Sequence, residues 1–126
     1  MASSEWAQQK RQREREWKIK ESIKRDALRP LRNAVNLAMR HAGIPHEHTH
    51  YSSRVKGWPT LIEAGYETES DTYDNTVTLR IWHGDHMADD EYKTMLDKAK
   101  QVLDEQFEYQ IDKTNKSLFI ITGMKS

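Results

Sequence analysis

Residues 4–41 read SEWAQQKRQREREWKIKESIKRDALRPLRNAVNLAMRH, and most of this stretch favours one long helix. It holds 11 of the 20 Lys and Arg residues and two of the four tryptophans. Residues 5–29 are mostly good helix formers, without Gly or Pro. Pro30 removes a backbone donor and clashes with the preceding turn. We therefore expect the helix to be kinked or broken near Pro30, unless this residue begins a second helix.

The character of the stretch changes around Pro30. An apolar stripe follows helical spacing, formed by Leu28, Leu31, Val35, Ala38 and Ala42. Gly43 fits a left-handed C-terminal cap, and Pro45 prevents continuation of the helix. We predict that residues 1–29 form a projecting basic helical arm and that residues 30–126 form a single α+β domain.

The remaining chain alternates between strand and helix signals. Strands are expected over residues 46–55 and 58–66, then an acidic, turn-rich loop over 67–74, then a strand over 73–83. Asp85 or Asp89 is expected to cap the next helix. Its apolar stripe is formed by Tyr92, Met95, Leu96, Ala99, Val102 and Leu103. Residues 107–111 and 118–122 predict a terminal hairpin. The fold class is α+β, with an antiparallel or mixed sheet of four to five strands packed by two helices.

Composition excludes several classes of protein. The chain has 126 residues, about one domain, with 36% hydrophobic and 32% charged residues. No apolar run approaches the roughly 18–20 residues that span a bilayer, and the N-terminus does not read as a signal peptide. We therefore predict no membrane association and a cytoplasmic location. The absence of cysteine rules out disulfides, thiol nucleophiles and thiolate metal sites.

The net charge of zero hides an asymmetry. Residues 1–41 carry 11 Lys and Arg against 5 Asp and Glu, a balance of +6, and residues 42–126 carry 9 against 15, a balance of −6. Such a division suggests a polyanionic partner or self-association between unlike surfaces. The alternative is that the two halves neutralise each other within one subunit.

One face of the long helix combines aromatic rings with cations. At 100° per residue, six side chains fall within roughly 40° of one line: Trp6, Lys10, Arg13, Trp17, Lys20 and Lys24. We call them the Trp/cation face and predict that they bind a partner. That partner is a protein, such as another copy of the chain, with tryptophan anchors, or a nucleic acid. A third interpretation packs both tryptophans on the subunit's own body.

The six histidines lie between residues 41 and 86. On a strand, His46, His48 and His50 would share one side, which makes them weak candidates for a zinc site. The group His83, Asp85 and His86 would lie at the opposite end of a simple three-strand meander. We therefore predict a solvent-facing polar strand, with no metal and no cofactor.

No catalytic residue is predicted. Ser52 and Ser53 lack a nucleophile-elbow context, and the five glycines form no phosphate-binding loop. Asp89, Asp90 and Glu91 read as the acidic first turn of a helix rather than as a catalytic pair.

The predicted order of a helix, a hairpin ending near Trp82, an amphipathic helix and terminal strands is similar to that of small phage head–tail connector and tail-terminator subunits. This resemblance implies ring formation through α+β bodies and a place in a virion. We predict a non-catalytic assembly protein, a homo-oligomer or a subunit of a larger complex, with the N-terminal helix as its contact element. The alternatives are a nucleic-acid-binding accessory protein that uses the same basic helix and, third, a His-ligated metal protein.

Overall fold

The computed structural model describes residues 2–51 and 59–126. Its elements are α1 (Ala2–His41), β1 (His48–Tyr51), β2 (Pro59–Glu63), β3 (Gly65–Asp71), β4 (Thr76–Trp82), α2 (Asp89–Gln106), β5 (Phe107–Ile111) and β6 (Leu118–Met124). Four strands form an antiparallel sheet in the order β3-β4-β6-β5, and β1 and β2 form a separate antiparallel pair. The predicted α+β class is confirmed. The part of the first predicted strand after Tyr51, and Trp58, lie outside the described residues.

Helix α1 is continuous from Ala2 to His41 and contains Pro30. The helix therefore neither breaks at Pro30 nor restarts there. Leu28 before the proline and Val35 after it are both buried in one core, so packing stabilises the helix on both sides of Pro30. This packing offsets the single backbone hydrogen bond that proline cannot donate.

The C-terminus of α1 has the predicted glycine cap. Gly43 has a φ of 81°, its N–H donates to the Arg40 carbonyl, and the N–H of Ile44 donates to the Met39 carbonyl at 3.0 Å. These two bonds form a Schellman motif, whose usual apolar contact joins residues in the positions of Met39 and Ile44. Both side chains are buried, so the cap also anchors the end of α1 in the core.

The core lies between one face of the four-stranded sheet and the two helices. Helix α1 contributes Val35 and Met39, and α2 contributes Met95, Ala99 and Leu103, as its predicted stripe requires. The strands contribute alternate residues, namely Tyr66, Val77, Leu79, Ile81, Phe107, Phe119 and Ile121. The predicted C-terminal hairpin is confirmed by the antiparallel pairing of β5 with β6.

The prediction of a loop over residues 67–74 is wrong, because most of that segment belongs to β3. Strand β3 pairs with β4 along its whole length, from Gly65 opposite Trp82 to Asp71 opposite Thr76. The loop was predicted because residues 67–74 are mostly polar. Thr68 faces α1 but is satisfied there, since Arg32 donates to its carbonyl oxygen and its hydroxyl donates to Asn36. A polar strand can therefore pack against a helix when its inward groups have hydrogen-bond partners.

Two boundaries differ from the expected ones. Strand β4 begins at Thr76 rather than residue 73, because the Asp71 carboxylate accepts hydrogen bonds from the backbone of Tyr73 and Asp74 and holds a turn there. Helix α2 has Ala88 at its N-cap, without a side-chain cap. Asp85 does not cap it, because its carboxylate accepts the N–H of Ile62 at 2.7 Å.

Candidate interaction surface

The Trp/cation face is exposed along α1. Trp6 and Trp17 keep 66% and 63% of their surface accessible, and Lys10, Arg13, Lys20 and Lys24 are also exposed. The interpretation in which both tryptophans pack on the subunit's own body therefore fails for the single chain. Lys10 Nζ lies 5.4 Å from the centroid of the Trp6 ring, a cation–π distance. Residues 4–20, which we call the overhang, are all exposed except Ala7, which is half-buried.

The exposed face continues the face that builds the core. Trp6, Trp17, Leu28 and Met39 recur every 11 residues, a spacing that returns to nearly the same side of a helix. Leu28 and Met39 are buried, whereas the two tryptophans are not. The side of α1 that packs on the sheet therefore continues, over about 26 Å more, as an exposed aromatic and cationic surface.

A groove lies where the overhang reaches the body. Trp17, Lys20 and Lys24 line it from α1, and Thr72 and Tyr73 line it from the turn between β3 and β4. Its volume is about 480 Å³. The Thr72 hydroxyl donates to the Glu21 carboxylate at 3.2 Å and ties the turn to the helix. Three of the six predicted residues thus share one concave site with the turn.

Sequence reasoning missed Tyr73 and a second exposed stripe on α1. Tyr73 is 92% exposed at the tip of the turn. The stripe consists of Ile19, Ile23 and Leu37, and Ile23 also lines the groove that contains Trp17, Lys20 and Lys24. The four-residue spacing of Ile19 and Ile23 was visible in the sequence, but their surroundings there are polar. Exposed apolar groups therefore occur on two sides of the helix.

A second groove, of about 470 Å³, is strongly basic. Arg25, Arg29 and Arg32 line it together with two asparagines, and Glu69 and Ser70 of β3 form its other wall. Arg32 is fixed by hydrogen bonds to the carbonyl and hydroxyl oxygens of Thr68. This groove places a second set of cations where α1 lies on β3.

The histidines do not converge in the described residues. His48 and His50 lie on the same side of β1, as predicted, with ring centroids 4.4 Å apart. His46 turns instead to Tyr66, against which its ring packs edge-on. Nowhere in residues 2–51 and 59–126 do three His, Asp or Glu side chains form an arrangement that could hold a metal ion.

The topological argument that separated the two histidine groups was wrong. Strands β1 and β2 form their own sheet instead of joining a meander. The N–H of Asp85 donates to the Ile62 carbonyl at 2.9 Å, which ties this sheet to the loop after β4. His83 lies in that loop and pairs with Asp89 rather than with the histidines of β1.

Within the described ranges, no helix is long and apolar enough to cross a membrane. The fold and the surface together define an α+β protein with an exposed aromatic and basic helix. The chain matches no protein-family model, no curated protein and no solved structure.

Proposed function

We propose that this protein is a non-catalytic assembly protein that associates with other copies of itself, or with a larger complex, through the Trp/cation face. The observation that carries the proposal is the continuity of this face with the core-packing face of α1. Burying an aromatic side chain of this size is worth on the order of 3 kcal/mol. A partner would therefore gain substantially by covering Trp6 and Trp17, which the subunit leaves exposed.

The composition of the face also suits a protein contact. Tryptophan and arginine are enriched among the residues that contribute most to protein–protein binding. Isolated helices shorter than about 12–15 residues are marginal in water, and helices gain most of their stability from packing. The overhang is only slightly longer than this limit, so association would give it the packing that its own body does not supply. The predicted element order is similar to that of phage proteins that form rings through α+β bodies, and we propose the same class of role.

Light scattering coupled to size-exclusion chromatography tests the proposal. We expect the full chain to be larger than a monomer, and the double variant Trp6→Ala and Trp17→Ala to be monomeric. Ile19→Ala is the matched control, because Ile19 is also 60% exposed but lies on another side of α1. A full chain that stays monomeric at high concentration, with the same behaviour after deletion of residues 1–20, would refute self-association.

The basic groove favours a second candidate, a nucleic-acid-binding accessory protein. Arg25, Arg29 and Arg32 add cations where α1 lies on the body, roughly 80–140° around the helix from the Trp/cation face. A phosphate backbone could contact both sets of cations by passing around α1. The logarithm of the binding constant falls linearly with the logarithm of the salt concentration. Each phosphate contact makes the slope of this line steeper by about 0.7–0.9.

Binding to labelled single- and double-stranded DNA across a salt series tests this candidate. Replacing Lys10, Arg13, Lys20 and Lys24 with Ala should weaken binding and reduce the salt slope by about three. The matched control replaces four exposed lysines elsewhere, namely Lys93, Lys98, Lys113 and Lys116. Absence of binding at low salt would eliminate this candidate.

A further inference from the structure

The face of the four-stranded sheet that points away from the helices carries an acidic edge. Glu67, Glu69 and Asp71 alternate along β3 with the residues that face α1. Since side chains repeat every second residue on a strand, all three belong to this outer face. They form a row of carboxylates on the edge strand of the sheet, which we call the acidic row. Because β3 is the edge strand, Glu69 and Asp71 also border grooves that Arg25 of α1 lines.

Behind the acidic row, the outer face becomes more apolar. Directly paired residues place Glu67, Arg80 and Leu118 in one row across the sheet, and Glu69, Thr78 and Ile120 in the next. The guanidinium carbon of Arg80 lies 3.8 Å from the ring centroid of Trp82, which stacks the cation over the ring. Leu118 and Ile120 are only half-buried.

No helix in the described part of the chain covers this outer face. Helix α1 is bonded to the inner face through Arg32 and Thr68, and α2 packs its buried stripe into the same core. Since α1 is one continuous helix on the inner side, its overhang cannot turn round to lie on the outer face of its own sheet. Any contact between the overhang and this face must join two chains.

The charges of the two surfaces are complementary. The donor surface consists of two tryptophans and four cations on the overhang and at its junction with the body. It would contact half-exposed apolar side chains that are bordered by three carboxylates. Burial raises the pKa of Glu67, and the neighbouring side chains of Glu47 and Glu69 raise it further. These crowded carboxyl groups would be stabilised in their charged form by incoming cations.

We propose that the acid-edged outer face of the sheet, which no described helix covers, receives the Trp/cation face of a second copy of this chain. The inference rests on the proposed function and names the surface that accepts the helix. Donor and acceptor surfaces are different patches, so the contact is head-to-tail. Such contacts close into rings when the rotation permits and otherwise extend as filaments.

Charge variants of the two surfaces test the acceptor separately from the donor. The donor variant carries Lys20→Glu and Lys24→Glu, and the acceptor variant carries Glu67→Gln and Glu69→Lys. The matched control, Asp97→Asn with Glu105→Lys, makes the same change in net charge as the acceptor variant, on exposed positions of α2. Circular dichroism and the unfolding midpoint establish that each variant is folded. If the acceptor variant misfolds, the single substitution Glu69→Lys is used in its place.

Sedimentation velocity over a concentration series gives the readout. We expect the donor and acceptor variants each to raise the dissociation constant about tenfold or more, with less than about a twofold change in the control. Mixing the two variants should give a one-to-one complex that does not grow, because the mixture contains one intact donor surface and one intact acceptor surface.

The outcomes distinguish a failure of this inference from a failure of the proposed function. An acceptor variant that assembles as the unmodified chain does, while the donor variant does not, would overturn this inference and leave the proposed function standing. A mixture without a one-to-one complex would also overturn it. A full chain that remains monomeric would overturn both this inference and the self-association part of the proposed function, and would leave the Trp/cation face to another protein or a nucleic acid.

Discussion

Gly65 is the residue at which the segment after α1 is fixed to the main sheet. A Cβ atom there would lie 2.2 Å from the Pro45 carbonyl oxygen and 2.6 Å from the Glu47 nitrogen. The close approach allows Tyr66 to exchange backbone hydrogen bonds with Pro45 and Glu47, at 2.9 Å and 3.0 Å. Only glycine can occupy a position with this φ and this proximity to backbone atoms.

A series of glycine substitutions separates the two effects. Gly65→Ala should lower the free energy of unfolding by more than the roughly 1–3 kcal/mol of backbone strain alone, because the clash with Pro45 adds to it. Gly43→Ala should cost only the strain of a positive φ, since a Cβ atom there would meet nothing within 4 Å, and Gly123→Ala should be nearly neutral. Urea denaturation measures all three. An equal loss at Gly43 and Gly65 would contradict a role for the close contact.

His83 joins the end of β4 to the start of α2 through a pair of acceptors. Its Nδ1 lies 2.7 Å from the Gly84 carbonyl oxygen, and its Nε2 lies 2.9 Å from the Asp89 carboxylate. The hydrogen bond to Gly84 and then that to Asp89 raise the pKa of His83 above its ordinary value of 6.5. Only the protonated ring can donate to both acceptors at once.

The sign of the pH dependence follows from this raised pKa. The stabilisation is fully present below pH 6.5 and is lost as pH rises through the higher pKa of the folded state. Asp89→Asn should therefore flatten the fall in stability above pH 6.5, by a small amount because the pair is exposed. Asp90→Asn removes the same charge from the same turn but keeps the His83 contact, and it should leave the slope unchanged. Chemical denaturation at a series of pH values measures the difference.

At the scale of elements, α1 has two environments along one continuous helix. Residues from Leu28 to Met39 gain stability from the core, whereas the N-terminal part of α1 carries local interactions, such as the Lys10–Trp6 contact in the overhang and the Glu21–Arg25 ion pair just after it. Exposed pairs of this kind contribute about 0.3–0.5 kcal/mol. The overhang is therefore the part of α1 that should fray first in an isolated chain.

Pro30 should cost α1 stability, because the helix continues through it. Pro30→Ala restores a backbone donor and removes the clash with the preceding turn, so we expect the free energy of unfolding to rise by about 1–3 kcal/mol. Asn33→Ala, at a nearby exposed position of the same helix, should change stability by only about a few tenths of a kcal/mol. Thermal and urea denaturation provide the measurement. A loss of stability in Pro30→Ala would show that the proline ring makes favourable contacts.

At the scale of the whole molecule, the two halves of the chain differ in charge, and the fold keeps much of that difference at separate surfaces. The cations of the overhang lie on α1, and the acidic row lies on the opposite face of the sheet. The ion pairs of α1 at Glu21–Arg25 and Asp26–Arg29 are local to the helix. An association between such surfaces depends on the ionic strength of the solution.

Salt should therefore weaken the proposed self-association. Raising the ionic strength from about 0.1 M to about 1 M shortens the screening length from about 10 Å to about 3 Å. We expect the dissociation constant measured by sedimentation to rise several-fold over this range. A constant that is unchanged or falls would indicate that burial of Trp6 and Trp17 dominates the contact, with little contribution from the cations.

Local patterns in the sequence were sufficient to predict several elements. The stripe of α2, the Gly43 cap and the C-terminal hairpin depend on residues close together in the chain, and all three are confirmed. The Trp/cation face likewise follows from local spacing, because a helix places residues by their separation along the chain. The binding role of that face remains a prediction.

The elements that were predicted wrongly depend on contacts between distant residues. Strand β3 was predicted as a loop because its residues are polar. Its Thr68 can be buried because Arg32 and Asn36 of α1 provide hydrogen-bond partners. Likewise, Asp85 looked like a helix cap until the structure placed it against Ile62. These partners lie 36, 32 and 23 residues apart in the chain, and no local pattern identifies them.

The sequence by itself thus determined the helix, its composition and the spacing of its tryptophans, since helical geometry converts spacing directly into a face. Only the tertiary structure decided that Leu28 and Met39 on that face enter the core while Trp6 and Trp17 stay exposed. The physical reason is the length of the sheet relative to α1. Burial requires a surface to pack against, and the body of this protein covers the C-terminal part of the helix and leaves Trp6 and Trp17 of the overhang exposed.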